Sequence, residues 1–454
     1  MKAKGQIIDL TQGRVGAQFF RFFLPVALGT IIQQLYNTAD AFIVGHFEGT
    51  NALAACGGSS AMIITLVTGI MVSLTGGASV IVAQFYGEKD YDRIKRASGT
   101  AILGCLAIGL IITILGIRLT PTFLRLMQTP EDTMTDAIAY MRIIFSAAVF
   151  VILYNMGAGI LRAGGDSRRP FRYLLACCLT NVFLDWLFVA VFHWGVKGAA
   201  AATAGSQIIS CVLVLVRLAT ADEAYKINLT HIRWDWFSLK RMLCLGIPAA
   251  LQNAMYSVSN AILQIGVNSL GTATVAAWCL CSKVDGIYWA LMTAVGNSIM
   301  TFTGQNYGAG QTDRIKECAK KGLIMTMAGT VCMSAILLLI GPEIIPLFDN
   351  NPEVVDLTIF LIWHFAPFYF LWPPIEIFSG ILRGAGDAVV PVIILGITIC
   401  LYRVVWLYTA FARIHTLEML CICYPVSWLI ASIPLFIRYK RGKWMLSTKE
   451  VTTR

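Results

Sequence analysis

GILRAGGDSRRP at residues 159–170 returns as GILRGAGDAVVP at residues 380–391. Seven of the twelve positions are identical: Gly159/Gly380, Ile160/Ile381, Leu161/Leu382, Arg162/Arg383, Gly165/Gly386, Asp166/Asp387 and Pro170/Pro391. Upstream, QFYGEKDYDRIK (84–95) is matched by QNYGAGQTDRIK (305–316), and LPVAL (24–28) by IPAAL (247–251). The three islands recur at one separation, 221–223 residues, so the chain is two copies of a unit of about 220 residues. The copies are read as 1–228 and 229–454, with the longest polar break, TADEAYKINLTHIRWDWFSL at 220–239, between them.

Composition names the solvent. Hydrophobic residues make up 57% of the 454 and charged residues 13%, with a mean hydropathy of +0.71. A soluble domain carries roughly 25% charged residues. Lipid offers the backbone no hydrogen-bond partner, so apolar segments near 20 residues cross it as helices. Twelve such spans are read: 17–45, 52–84, 97–118, 134–161, 170–193, 198–219, 240–268, 273–303, 318–345, 354–382, 390–412 and 416–437. Six spans per copy is an even number, so both copies enter from the same face. The expected fold is all-α: twelve transmembrane helices in two parallel six-helix lobes related by a pseudo-twofold along the membrane normal. Parallel duplicated lobes of this kind are a mark of transporters.

With the N-terminus placed inside, 28 of the 35 Lys and Arg residues fall on the cytoplasmic side. Only Arg118, Arg125, Lys197 and Arg413 fall outside, and Arg142, Lys283 and Arg403 fall within spans. The net charge of +10 therefore expresses topology. It forms no single basic face, so no nucleic-acid partner is expected. The first sixteen residues are polar and lack a small-residue cleavage site, so no cleavable signal peptide is read. Thirteen cysteines are scattered through the spans without a CxxC or a zinc spacing, and read as small core residues in a reduced setting. Pro25 and Pro248 sit early in the first span of each copy and invite a bend. The duplicated loops place Gly, Asp and Pro between spans, a stop followed by a restart.

An ionisable side chain inside a span costs about 2.5–3.5 kcal/mol at the centre on insertion scales, and so tends to mark function. Span one carries Gln33, Tyr36, Asn37 and Asp40 on one helical stripe. Span five carries Asn181 and Asp185 one turn apart, and span six adds Thr203. Both aspartates fall several residues before an outer loop, at a shared depth in the outer half of the membrane. Asp40, Asn181, Asp185 and Thr203 can therefore converge into a hard-oxygen cluster that holds a proton or a small hard cation. A buried structural hydrogen-bond network is the alternative. The second copy repeats the stripe as Asn253, Tyr256, Ser257, Asn260 and Gln264. It lacks the acids: Leu263 aligns with Asp40, Tyr402 with Asn181 and Trp406 with Asp185. It has charges of its own, Lys283, Asp285, Glu376 and Arg403, which either neutralise one another or serve function.

The chain resembles the multidrug and toxic compound extrusion (MATE) transporters. The resemblance rests on the proline-bearing first span with Asp40, the segment Gln84-Phe85-Tyr86-Gly87, the ILRAGGD/ILRGAGD loops, and Asn181 with Asp185, and it covers about residues 15–445. The set Asp40, Asn181, Asp185 and Thr203 is similar to that of the prokaryotic branch with a cation site in the N-terminal lobe. The resemblance implies export of organic cations and drugs in exchange for H⁺ or Na⁺ by alternating access, with no other cofactor or metal and no enzymatic step. It also implies that Gln33, Tyr36, Asn37 and Asn155 line the substrate cavity. Asp285 and Glu376 only loosely match the acidic pair of another branch. The implied partners are a cationic amphiphile and the bilayer. The expected form is a monomer in a bacterial or archaeal cytoplasmic (inner) membrane, multi-pass, with both termini inside.

Three rival readings share parts of this pattern. A flippase for a lipid-linked oligosaccharide shares the architecture but favours a cavity rich in Arg or Lys, and only Arg142, Lys283 and Arg403 lie at membrane depth. An intramembrane aspartyl protease needs its GD motif inside an apolar helix, whereas here the motif recurs in loops beside Arg162 and Arg383. A channel is disfavoured by proton-binding acids on one lobe only. No GxxxxGK[ST] occurs to bind ATP.

Overall fold

The computed structural model describes residues 7–220, 226–227, 234–349 and 351–445. The first six residues and most of the polar break at 220–239 lie outside them. All regular structure among the described residues is helical. The first copy contains α1 (Val15–Gly57), α2 (Ser59–Glu88), α3 (Tyr91–Leu126), α4 (Glu131–Ser146), α5 (Ala148–Ala163), α6 (Arg168–Asp185) and α7 (Gly195–Thr220). The second contains α8 (Trp236–Ser269), α9 (Thr272–Gly308), α10 (Thr312–Ile344), α11 (Pro352–Phe365), α12 (Pro373–Gly384), α13 (Val389–Leu395), α14 (Tyr402–Trp406) and α15 (Leu417–Lys440).

These pieces assemble into twelve rods. Helices α4 and α5 form one rod bent by 43°. The 3₁₀ segment Ala366–Leu371 joins α11 to α12, and the π segment Gly396–Leu401 joins α13 to α14. By length and apolarity nine helices qualify as membrane spans among the described residues, or ten with the bent pair. Helices α8 and α9 have 34 and 37 residues, so polarity and not length keeps them out. The lipid-facing character is plain in α10, whose most apolar window is only 11% buried. It exposes Ile336, Leu339 and Ile340, a surface that water would not tolerate.

The helix ends differ from the sequence reading where apolarity and helicity part company. Span one was expected to end at 45, but α1 continues to Gly57 and is 43 residues long. At 1.5 Å per residue this is about 65 Å, roughly twice the hydrocarbon core. The extension HFEGTNALAACG is too polar and small to register as membrane sequence, yet nothing in it breaks a helix. Pro25 and Pro248 are taken up inside α1 and α8 without interrupting either.

The duplicated loops fold alike. Asp166 N–H donates to Leu161 O at 2.9 Å, and Asp387 N–H to Leu382 O at 2.8 Å. Gly165 and Gly386 take φ of +86° and +102°, the region a helix terminus gives to glycine. The aspartates are then used differently: Asp166 holds the Arg169 guanidinium at 2.8 Å, and Asp387 holds Arg438 at 2.6 Å. The other duplicated motif closes α2 and α9 the same way, with Lys89 at φ +58° where the second copy has Gly310 at φ +70°. A lysine in that conformation is strained. Lys89→Gly is therefore expected to stabilise the protein by up to about 1 kcal/mol. A raised melting temperature of the purified protein in detergent checks this, and a lowered one would mean that the lysine side chain is needed there.

Packing divides the chain into two compact units, Met1–Leu10 with Arg21–Ala250, and Thr11–Phe20 with Leu251–Arg454. The repeat changes near the polar break, whereas packing changes inside α1 and α8. In the first unit Arg241 donates to Gln84 Oε1 at 2.7 Å, and Asp235 N–H to Thr100 Oγ1 at 3.0 Å. In the second, Arg314 donates to Gly13 O at 2.8 Å and Gln12 O at 3.1 Å.

Candidate functional site

In the first unit α1, α6 and α7 bring the expected residues together. Asn181 and Asp185 are fully buried, and Asp40 is half-buried. The Asp40 and Asp185 carboxyls lie within hydrogen-bond reach of each other. One oxygen of each, Oδ1, is buried with no hydrogen-bond partner. The Asn181 amide is oriented by its network: with nitrogen toward Asp185 it donates to Oδ2 at 2.9 Å, and its oxygen accepts from Thr203 N–H at 3.3 Å. Turned the other way, it reaches Thr203 Oγ1 at 3.4 Å. Tyr36 and Tyr140 lie within electrostatic reach of both carboxylates. A buried cluster containing Val44, Ala52, Val189, Val196 and Ala199 packs with Tyr140. Two like charges at hydrogen-bond distance in such surroundings repel strongly, and the arrangement calls for a proton or a cation between them.

Of the residues expected to line the substrate cavity, Tyr36 joins this group. Gln33 and Asn37 are exposed on α1. Asn155 is turned to its own helix, donating to Val151 O at 2.9 Å. Tyr140, on α4, was missed by sequence reasoning, because a tyrosine in an apolar span carries no charge signal. Among the described residues no group of three His, Cys, Asp or Glu side chains is placed to hold a metal ion.

A π segment, Trp186–Val191, begins directly after Asp185, and another, Leu407–Phe411, directly after Trp406. The two aligned positions behave alike with and without the acid, so the π geometry belongs to the repeat. The second copy seals the position with hydrocarbon. Leu263 is 2% exposed and packs with Val267, Leu407, Phe411 and Leu420. Trp406 Nε1–H is absorbed by Met419 O at 2.8 Å.

The second unit has instead a cavity of about 750 Å³ that includes Lys283, Asp285, Glu376 and Arg403 in its lining. Among the described residues these four do not neutralise one another. Asp285 accepts from the Tyr369 hydroxyl, and Tyr369 stacks on Tyr288 with centroids 4.2 Å apart. Glu376 sits 3.9 Å from Arg383 on its own helix. Arg403 lies over the Tyr424 ring, 4.1 Å from its centroid. Aligning the duplicated loops also pairs Glu376 with Asn155, so this position is polar in both copies.

A family model described as MatE matches the chain twice, at residues 25–187 and 248–409. The two matches begin at Pro25 and Pro248, the prolines of the repeated LPVAL and IPAAL segments. The chain belongs to the MatE family. A MatE protein is a transporter and not an enzyme, which agrees with the all-helical duplicated fold. This MatE chain is similar to the probable multidrug resistance protein YpnP of Bacillus subtilis (strain 168), 27% identical over 96% of the chain and 97% of that protein. It is also similar to the probable multidrug resistance protein YoeA of the same organism, 26% identical over 82% of each. Among solved structures, an outward-facing multidrug resistance MATE family transporter of the MOP superfamily superposes with a TM-score of 0.89 at 23% identity, covering 97% of this chain and 98% of that one. At that identity the likeness speaks for the fold.

Proposed function

We propose that this MatE protein is a cation-coupled antiporter that exports organic cations and drugs, with Asp40 and Asp185 as the coupling pair. The observation that carries the reading is the meeting of two carboxyls from different helices, each with a buried oxygen left open. Asn181 and Thr203 complete an oxygen-rich group that suits H⁺ or Na⁺, and no further cofactor is required. Entry of the ion from outside neutralises the pair and releases the substrate. Loss of the ion to the inside restores charge and affinity. The relatives named as multidrug resistance proteins support the substrate class. The proposed setting is the cytoplasmic (inner) membrane of a bacterium or archaeon, with a single chain as the working unit and both termini inside.

The test is transport by purified protein in liposomes with a proton gradient and a Na⁺ gradient imposed separately. Uptake of a fluorescent organic cation driven by one of them supports the reading, and uptake indifferent to both contradicts it. The lobes are also expected to be unequal. Asp185→Asn lowers transport by about tenfold or more, a coupling-sized effect, and Glu376→Gln lowers it less. The reverse order in the same assay would place coupling in the second unit.

A further inference from the structure

The cavity of the second unit is asymmetric in a way the cation-exchange reading does not use. Its acids already have partners: Asp285 accepts from the Tyr369 hydroxyl and lies 3.9 Å from Cys281 Sγ, and Glu376 faces Arg383. Its bases do not. Lys283 is exposed in the lining and, among the described residues, makes no hydrogen bond or ion pair. Arg403 is 5% exposed, yet its polar contacts are to neutral groups, Ser427 Oγ at 3.3 Å and Asn260 Oδ1 at 3.5 Å, with the Tyr424 ring beneath it. A guanidinium buried at membrane depth without a carboxylate is costly and is usually retained for a ligand. The ring and the two weak acceptors hold its plane through Nε and Nη1, and no hydrogen bond is made by Nη2 among the described residues. A planar fork of that kind matches a carboxylate.

The walls define the rest of the ligand. Trp278, Trp289, Trp372, Tyr424 and Trp428 line the same cavity. The volume of about 750 Å³ is that of a pocket for a drug-sized molecule. Two acids in the lining disfavour a dianion such as a phosphate monoester. We propose that this cavity binds an aromatic molecule carrying a single carboxylate, with Arg403 as its anchor and Lys283 as a second, looser counter-charge. The site is formed by residues of the second unit alone and does not depend on the role given to the Asp40–Asp185 pair.

Calorimetric titration of the full-length protein in detergent tests this with three probes of one shape: naphthalene-2-carboxylate, naphthalene-2-carboxamide and naphthalen-2-ylmethylammonium. The carboxylate is expected to bind roughly tenfold more tightly than the amide, and the ammonium, which the Asp40–Asp185 pair would hold, should not displace the carboxylate. Arg403→Gln should bring the carboxylate down to the affinity of the amide while leaving the amide unchanged. Lys283→Gln should weaken the carboxylate severalfold, and Asp40→Asn should leave the carboxylate and amide affinities as they were. Equal binding of carboxylate and amide, displacement of the carboxylate by the ammonium, or no binding of the carboxylate would overturn the proposal. Should Arg403→Gln fail to fold, the wild-type comparison and Lys283→Gln decide the matter alone.

Discussion

Asp40→Asn is expected to leave the protein folded and inserted and to reduce coupled efflux to the level of cells lacking the protein. Asparagine has the same shape and removes a charge that costs about 2.5–3.5 kcal/mol in the membrane centre, so insertion should not suffer. What is lost is the second carboxyl of the pair. Asp185 keeps its contact with Asn181, but the proposed exchange of a proton or Na⁺ against a cationic substrate uses both carboxyls. Efflux of a fluorescent cation from cells, normalised to the amount of protein in the membrane, reads the effect. Wild-type efflux by this variant would remove Asp40 from the mechanism.

The largest effect on folding is expected at Gly77. Helices α2 and α8 touch there so closely that a Cβ on Gly77 would lie 2.5 Å from Gly246 N and 2.8 Å from Met242 O. Both are backbone atoms of a packed helix and cannot swing aside, so the helices must separate. Gly77→Ala should cost about 2–3 kcal/mol or more, in the range of overpacked cores. Gly69, two turns earlier on α2, has nothing within 4 Å of its Cβ position. Gly69→Ala should be neutral or stabilising by up to about 1 kcal/mol, from helix propensity alone. Melting temperature and the monodisperse fraction in detergent compare the two. Equal behaviour of the pair would mean that the α2–α8 approach is looser than described.

Much of the fold is legible because the repeat is written in residues with fixed backbone demands. Gly165 and Gly386 recur because a helix terminus needs positive φ, and Asp166 and Asp387 because each fixes an arginine. The meeting of Asp40 with Asp185, the proposed coupling pair, is legible for a different reason: Asp40, Asn181 and Asp185 are polar residues at helical spacing in apolar surroundings, where polarity is costly. Three features escape such reading. The extension of α1 to Gly57 is helix without apolarity. Tyr140 and the aromatic walls of the second cavity are hidden because aromatic residues are ordinary in membrane helices. Whether Lys283, Asp285, Glu376 and Arg403 pair with one another depends on which helices face which, and spacing along one helix carries no such information. The contrast between Asp40 and Leu263 is the exception, since the repeat itself supplies the comparison.

If substrate and coupling ion share the Asp40–Asp185 pair, each must weaken the other by the same factor. Affinity of the purified protein for a fluorescent organic cation, measured from about pH 5 to about pH 8 with proton release followed in weak buffer, tests this most directly. For proton coupling, affinity should rise with pH, and binding should release protons over the range where affinity changes. For Na⁺ coupling, affinity should instead fall as Na⁺ is added. Affinity independent of both ions, with no proton released, would contradict the shared pair.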